Sequence, residues 1–154
     1  MTNADLDLLA LARMGRVHFV GISGAGMSAL AELVLRSGGQ VSGCDTRPGA
    51  VADALRALGA EVVQGHDPAH VADAVAVVTT AAVPQDHPEL EAARSRGIPV
   101  LKRAEALGAL VNRGTVVAVA GTHGRATTTA MTTAILEEAG LQPTGFVGGK
   151  VPGW

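Results

Sequence analysis

Apolar residues fall in short unbroken runs that alternate with stretches where they recur every three or four positions, and glycine or proline marks most of the changes of period. Residues 17–21 form one such run, Ile22-Ser23-Gly24-Ala25-Gly26 follows, and 27–35 carries helical spacing, so this part reads as strand, glycine turn, helix. Gly38-Gly39 ends the helix, 40–44 reads as a second strand with Asp45 at its carboxyl end, and 51–58 as a helix closed by Gly59. Further strands are expected at 61–64, 75–79 and 99–101. A short helical segment is expected near 69–72, and helices at 88–96 and 103–111.

This alternation predicts an α/β fold, a Rossmann-like parallel sheet with helices on both faces. Right-handed crossovers bring the loops at the strand carboxyl ends to one rim, where open sheets of this kind bind ligands. Residues 1–112 read as one domain and 112–114 as a linker. From 113 to 154 the pattern restarts with a strand at 115–120 and a second glycine turn, an incomplete phosphate-loop layout of strand, turn and helix. On the helix after that turn, Met131, Ile135 and Leu136 are expected to face a core and Glu137 and Glu138 solvent. One strand and one helix leave most of their apolar surface without a partner, so 115–154 is expected to pack on the first domain, self-associate or move.

Composition narrows the partners. With 154 residues, 47% hydrophobic and 17% charged, at a formal net charge of -2, the chain suits one sizeable core and argues against nucleic acid binding. Aromatics are confined to Phe19, Phe146 and Trp154, so Ala, Val and Leu must fill the core, as in buried parallel strands. The sole cysteine, Cys44, excludes an internal disulfide and suits a reducing cytoplasm; on a buried strand it reads as a small core residue. No basic leader-type start and no apolar window of membrane-spanning length is present, so a membrane location is not expected.

In the first turn, small residues let the backbone approach a diphosphate, and N–H groups at the following helix start supply donors and a positive dipole end. Ser23 stands where a clean GxGxxG has its second glycine. Asp45 lies where dinucleotide folds place a ribose-binding carboxylate, so an NAD(P)-dependent oxidoreductase domain is an alternative; equally, Asp45 suits a turn cap ahead of Pro48. The second turn, Gly121-Thr122-His123-Gly124-Arg125-Ala126-Thr127, suggests ATP by its layout of glycines, a basic residue and hydroxyls before a helix. Arg125 and Ala126 occupy the positions where such loops carry the phosphate lysine and the Mg²⁺-binding hydroxyl. The five histidines are scattered; His66 and His70 alone share a helical interval, broken by Asp67-Pro68, and no metal ligand is assigned.

Taken in order, Val20-Gly21-Ile22-Ser23-Gly24-Ala25-Gly26-Met27-Ser28, Ser42-Gly43-Cys44-Asp45, Gly65-His66, Thr79-Thr80-Ala81-Ala82-Val83, Pro88-Glu89-Leu90, Arg103-Ala104-Glu105 and Gly121-Thr122-His123-Gly124 resemble the UDP-N-acetylmuramate:L-alanine ligases of bacterial peptidoglycan synthesis, members of the Mur ligase family. The resemblance runs over nearly the whole chain. It implies that Ser23, Gly24, Ala25, Gly26, Met27 and Ser28 lie against the diphosphate of UDP-N-acetylmuramic acid, and Asp45, His66, Thr79, Thr80 and Ala81 near its uridine. It also implies that Gly121 to Thr127 lie by the phosphates of ATP, with Mg²⁺ as the accompanying ion.

In the family, ATP phosphorylates the lactyl carboxylate and the amine of L-alanine displaces phosphate. Three domains share that work, of which this chain is expected to hold the first and the opening of the second. Arg125 and Ala126 depart from the family's usual Gly-Lys-Thr, so the chain alone is expected to bind and not to catalyse, and no catalytic residue is assigned. A vestigial, noncatalytic binding module is the remaining alternative.

Overall fold

The computed structural model describes residues 6–112, 114–148 and 151. Arg113 of the expected linker and Trp154 lie outside the described residues. The chain divides into two compact units, Met1–Gly114 and Thr115–Trp154.

The first unit is built on five parallel strands, β1 (Arg16–Val20), β2 (Gln40–Asp45), β3 (Glu61–Gln64), β4 (Ala74–Thr79) and β5 (Val100–Lys102), in the order β3-β2-β1-β4-β5. The order reverses between β1 and β4, which makes the carboxyl ends of those two strands the switch point where open α/β sheets bind ligands. Parallel strands buried on both faces need apolar side chains on both. Val17 and Phe19 point to one side of β1 and Val20 to the other, and all three are fully buried.

Helices α1 (Leu8–Met14), α2 (Ala25–Arg36), α3 (Gly49–Ala57) and α5 (Arg103–Val111) cover one face, linked by contacts of α1 with α5 and of α2 with α3 and α5. A 3-10 turn (Pro68–Val71) and α4 (Pro88–Ser95) pack together on the other. There Val20, Cys44, Val71, Val77, Leu90 and Ala93 form a buried cluster.

Helix α1 has no counterpart in the sequence reading. Asp7 caps it by accepting from the Ala10 N–H at 2.9 Å, and Leu8 and Ala12, one turn apart, are wholly buried. A Cβ built at Gly39 would sit 2.8 Å from the Ala12 methyl and 2.7 Å from Val34 Cγ1, so the glycine after α2 also lets α1 close on the sheet.

In the second unit, helix α6 (Arg125–Glu138) follows the glycine turn as expected. The strand expected over 115–120 does not form: those residues carry no ladder among the described residues. An extended segment becomes a strand only by pairing, and among the described residues this unit holds no second strand to pair with it. Met131 and Ile135 are correspondingly 62% and 65% exposed rather than facing a core, while Glu137 and Glu138 are exposed as expected. No helix among the described residues is long and apolar enough to cross a membrane.

Candidate functional site

The first glycine turn leaves β1 at the switch point and is held from every side. The N–H groups of Gly21 and Ile22 both donate to the Cys44 carbonyl, at 2.9 and 3.1 Å, and the Ile22 side chain is fully buried. Gly21 adopts φ 74°, a conformation that glycine alone takes without strain. The Ser23 N–H donates to Asp45 Oδ2 at 3.1 Å, and the Ser23 hydroxyl donates to the Pro48 carbonyl at 2.9 Å. A serine in place of the second glycine therefore ties the turn to the loop after β2.

Asp45 also accepts the Arg47 N–H on Oδ1 at 2.9 Å. Of its two sequence readings, the turn-capping role is thus realised in the geometry. Helix α2 begins at Ala25, whose side chain lies outside what the structure describes. The Met27 and Ser28 N–H groups fold back onto the Gly24 carbonyl, both at 2.8 Å, and Met27 is buried. The Gly26 N–H, at the positive end of the helix dipole, has no intramolecular acceptor among the described residues.

Beside it lies a cation that residue-by-residue reading did not single out. A Cβ built at Gly26 would collide with the Arg103 guanidinium, so the side chain from the start of α5 rests on the bare backbone of the first turn of α2. A helix N-terminus with an arginine against it is suited to a phosphate or diphosphate. The signal was present in the sequence as the pairing of a second glycine, Gly26, with the Arg103-Ala104-Glu105 run.

The remaining candidates line the same rim. Thr79 ends β4 and is buried, its hydroxyl donating to the Thr80 carbonyl at 3.4 Å; the Thr80 hydroxyl accepts the Ala82 N–H at 3.1 Å and shapes the loop, and Ala81 is exposed. His66 follows β3, and its Nδ1 comes 3.2 Å from Cys44 Sγ.

Below this rim, on the α4 face, the fold gathers side chains that the sequence left scattered. Glu89, in the first turn of α4, is fully buried. Its Oε1 accepts the Asp67 N–H at 3.1 Å and faces His70 Nδ1 at 2.8 Å; its Oε2 accepts the Cys44 thiol at 3.0 Å and lies 3.7 Å from both His18 Nε2 and His66 Nδ1. Burial opposes its charge, but the His18 ring, the Cys44 thiol, the His70 ring and the Asp67 N–H outweigh burial and hold the carboxyl at about 2. Cys44 responds in the opposite sense: burial first, then its hydrogen bond to Glu89, push the thiol far above its ordinary range. His87 caps α4, stacks edge-on to His66 at 4.6 Å, and has its basicity lowered by burial.

The second turn is of another kind. Gly121, Thr122, His123, Gly124, Arg125, Ala126 and Thr127 are all exposed. Gly124 is left-handed at φ 77°, and the Thr128 N–H returns to its carbonyl at 2.9 Å. The Thr129 hydroxyl donates back to the Arg125 carbonyl at 2.9 Å, and Ala126 offers no oxygen. Arg125 brings a positive charge to the start of α6, and Ala126 brings no oxygen to the position where such loops carry the Mg²⁺-binding hydroxyl.

An open parallel sheet with a glycine turn and a helix start at its switch point is the arrangement of one class, the nucleotide-handling α/β proteins. Within it, residues 16–115 match the model of the Mur ligase family, catalytic domain, and the chain belongs to this family. It is 51% identical over 140 residues to the UDP-N-acetylmuramate–L-alanine ligase of Acidothermus cellulolyticus, covering 91% of this chain and 29% of that protein.

Among solved structures, the UDP-N-acetylmuramate-alanine ligase of Thermotoga maritima superposes with a TM-score of 0.80 at 34% identity, covering 89% of this chain and 32% of that one. The UDP-N-acetylmuramate:L-alanyl-gamma-D-glutamyl-meso-diaminopimelate ligase of Neisseria meningitides gives 0.80 at 33% identity, covering 91% and 44%. The chain spans about a third of the length of the curated relatives it matches.

Proposed function

We propose that the first unit binds UDP-N-acetylmuramic acid for a UDP-N-acetylmuramate:L-alanine ligase, in which ATP activates the lactyl carboxylate and L-alanine is joined to it. The observation that carries this reading is the Gly26 N–H and the Arg103 guanidinium side by side at the start of α2, a paired donor set for a diphosphate at the switch point. Around it, Ser23, Gly24, Ala25, Met27 and Ser28 shape the turn. Asp45, His66, Thr79, Thr80 and Ala81 line the rim on which the uridine would lie.

Both oxygens of Asp45 are engaged by backbone N–H groups, which supports the ligase reading over a dinucleotide whose ribose needs that carboxylate. In the second unit, Gly121, Thr122, His123, Gly124, Arg125, Ala126 and Thr127 would meet the phosphates of ATP, whose role is to activate the carboxylate. With Ala126 in place of a hydroxyl, no step is assigned to Mg²⁺ here.

Isothermal titration with UDP-N-acetylmuramic acid, UDP, NAD and ATP tests the proposal. The muramyl nucleotide and UDP are expected to bind and NAD not. A preference for NAD, or silence from all four ligands with folded protein, overturns it.

A further inference from the structure

Beside the nucleotide rim, on the α4 face of the sheet, His18, Cys44 and Glu89 bring one donor atom each to a single point. Nε2, Sγ and a carboxylate oxygen all lie within 4.8 Å of one another, and all three residues are buried. At the edge of the cluster, His66 Nδ1 lies 3.2 Å from Cys44 Sγ and 3.7 Å from Glu89 Oε2. We propose that this cluster is a binding site for a thiophilic divalent cation of the zinc class, ligated by His18 Nε2, Cys44 Sγ and Glu89 Oε2.

The least expected atom is His18 Nε2. It is buried, its residue only 1% exposed, and among the described residues it has no hydrogen-bond partner, Glu89 Oε2 standing 3.7 Å away. A buried ring nitrogen left without a partner is costly unless it has another task. The other nitrogen, Nδ1, lies 3.0 Å from the Ser42 hydroxyl. On cation binding that oxygen can accept the Nδ1 proton, leaving the Nε2 lone pair for the metal in place of the contact with Glu89, which is how a ligating imidazole is oriented from behind.

Glu89 is arranged in the same way. His70 and the Asp67 N–H occupy Oε1, and Oε2 is turned toward Cys44, His18 and His66.

Spacing and charge agree with this assignment. Bonds of about 2.0–2.3 Å to N, O and S in a tetrahedral zinc site set donor–donor edges of roughly 3.3–3.7 Å. Oε2 lies 3.7 Å from the His18 Nε2, within that range, and 3.0 Å from Sγ, a hydrogen-bonded separation that would open by a few tenths of an ångström once the thiol proton is lost to the metal. A thiolate and a carboxylate neutralise a divalent ion, so the loaded site carries no net charge into the core; the thiol proton leaves to solvent on loading. A cavity of about 210 Å³, with Arg16, Ser42, Glu61, His70 and Asp73 in its lining, reaches the ligating ring of His18.

The test is a titration of the chelator-treated full chain with Co²⁺, followed by displacement with Zn²⁺. Because Cys44 is the only cysteine, a thiolate-to-cobalt charge-transfer band reports this site alone, whatever the other histidines bind. One equivalent of Co²⁺ is expected to raise the band, and Zn²⁺ to abolish it. Cys44→Ser should remove the band, and Ser42→Ala, which touches no ligand atom directly, should weaken Co²⁺ about 10–100-fold. Absence of the band in the wild-type chain overturns the proposal, as does an unchanged affinity in both Ser42→Ala and His18→Gln when circular dichroism shows each variant folded.

Discussion

The two glycine turns carry nearly the same sequence signal and have very different structures. The first leaves a strand paired on both sides, buries Ile22, and ties Ser23 to both Asp45 and Pro48. The second follows a segment without a ladder, exposes every residue from Gly121 to Thr128, and is held by local bonds such as Thr128 N–H to Gly124. Glycines supply conformational freedom, and only a sheet converts that freedom into a fixed set of donors. A glycine turn in a sequence therefore predicts a backbone shape more securely than it predicts a site.

Amide hydrogen exchange should separate the two most widely. Core strands exchange only through global opening, typically about 5–15 kcal/mol, whereas unpaired amides open at almost no cost. The amides of 17–20 are expected to exchange at least about 10³-fold more slowly than those of 115–120. Comparable protection in the two segments would mean that the second turn is organised like the first, and the contrast would fail.

Glycine substitutions give the next largest effect. A Cβ built at Gly43 in β2 would lie 2.6 Å from Ile22 Cδ1 and 2.8 Å from the Phe19 carbonyl, directly under the first turn. Gly43→Ala should cost about 1–3 kcal/mol, lowering the melting temperature by about 3–4 °C per kcal/mol. Gly124→Ala strains a left-handed residue with nothing within 4 Å and should leave that transition almost unmoved. Equal shifts in the two variants would contradict the difference in how the turns are held.

Arg103→Ala follows. Loss of a charged hydrogen bond is worth about 1.5–3 kcal/mol, so UDP-N-acetylmuramic acid should bind roughly 10–150-fold more weakly by calorimetry, with ATP binding unaltered. A variant that binds the muramyl nucleotide normally would remove the arginine from the diphosphate site.

Most of the fold could be read because its determinants are local. Residues 61–64 and 103–111 match β3 and α5 residue for residue, since alternation and punctuation set those limits. Helix α1 was passed over because seven residues with two buried positions carry too little periodicity; docking onto the sheet, not propensity, holds it. The Glu89 cluster was illegible for a different reason. His18, Cys44, His66 and Glu89 come from β1, β2, the loop after β3 and α4, and only the strand order places them together. Ile135 was misassigned because an apolar stripe shows which face seeks cover, not whether a covering layer is present.

The finest test asks whether residue identity or missing support limits the second turn. Arg125→Lys with Ala126→Thr restores a point charge and places a hydroxyl where such loops bind Mg²⁺. If identity is limiting, the double variant should bind ATP up to about tenfold more tightly, some 1.4 kcal/mol, and only with Mg²⁺ present, while the wild-type turn remains indifferent to the ion. If support is limiting, the new hydroxyl sits on a helix whose preceding segment has no ladder to fix it, and neither affinity nor Mg²⁺ dependence should change. The second outcome would show that the sheet must position the donors before side chains can choose among ligands.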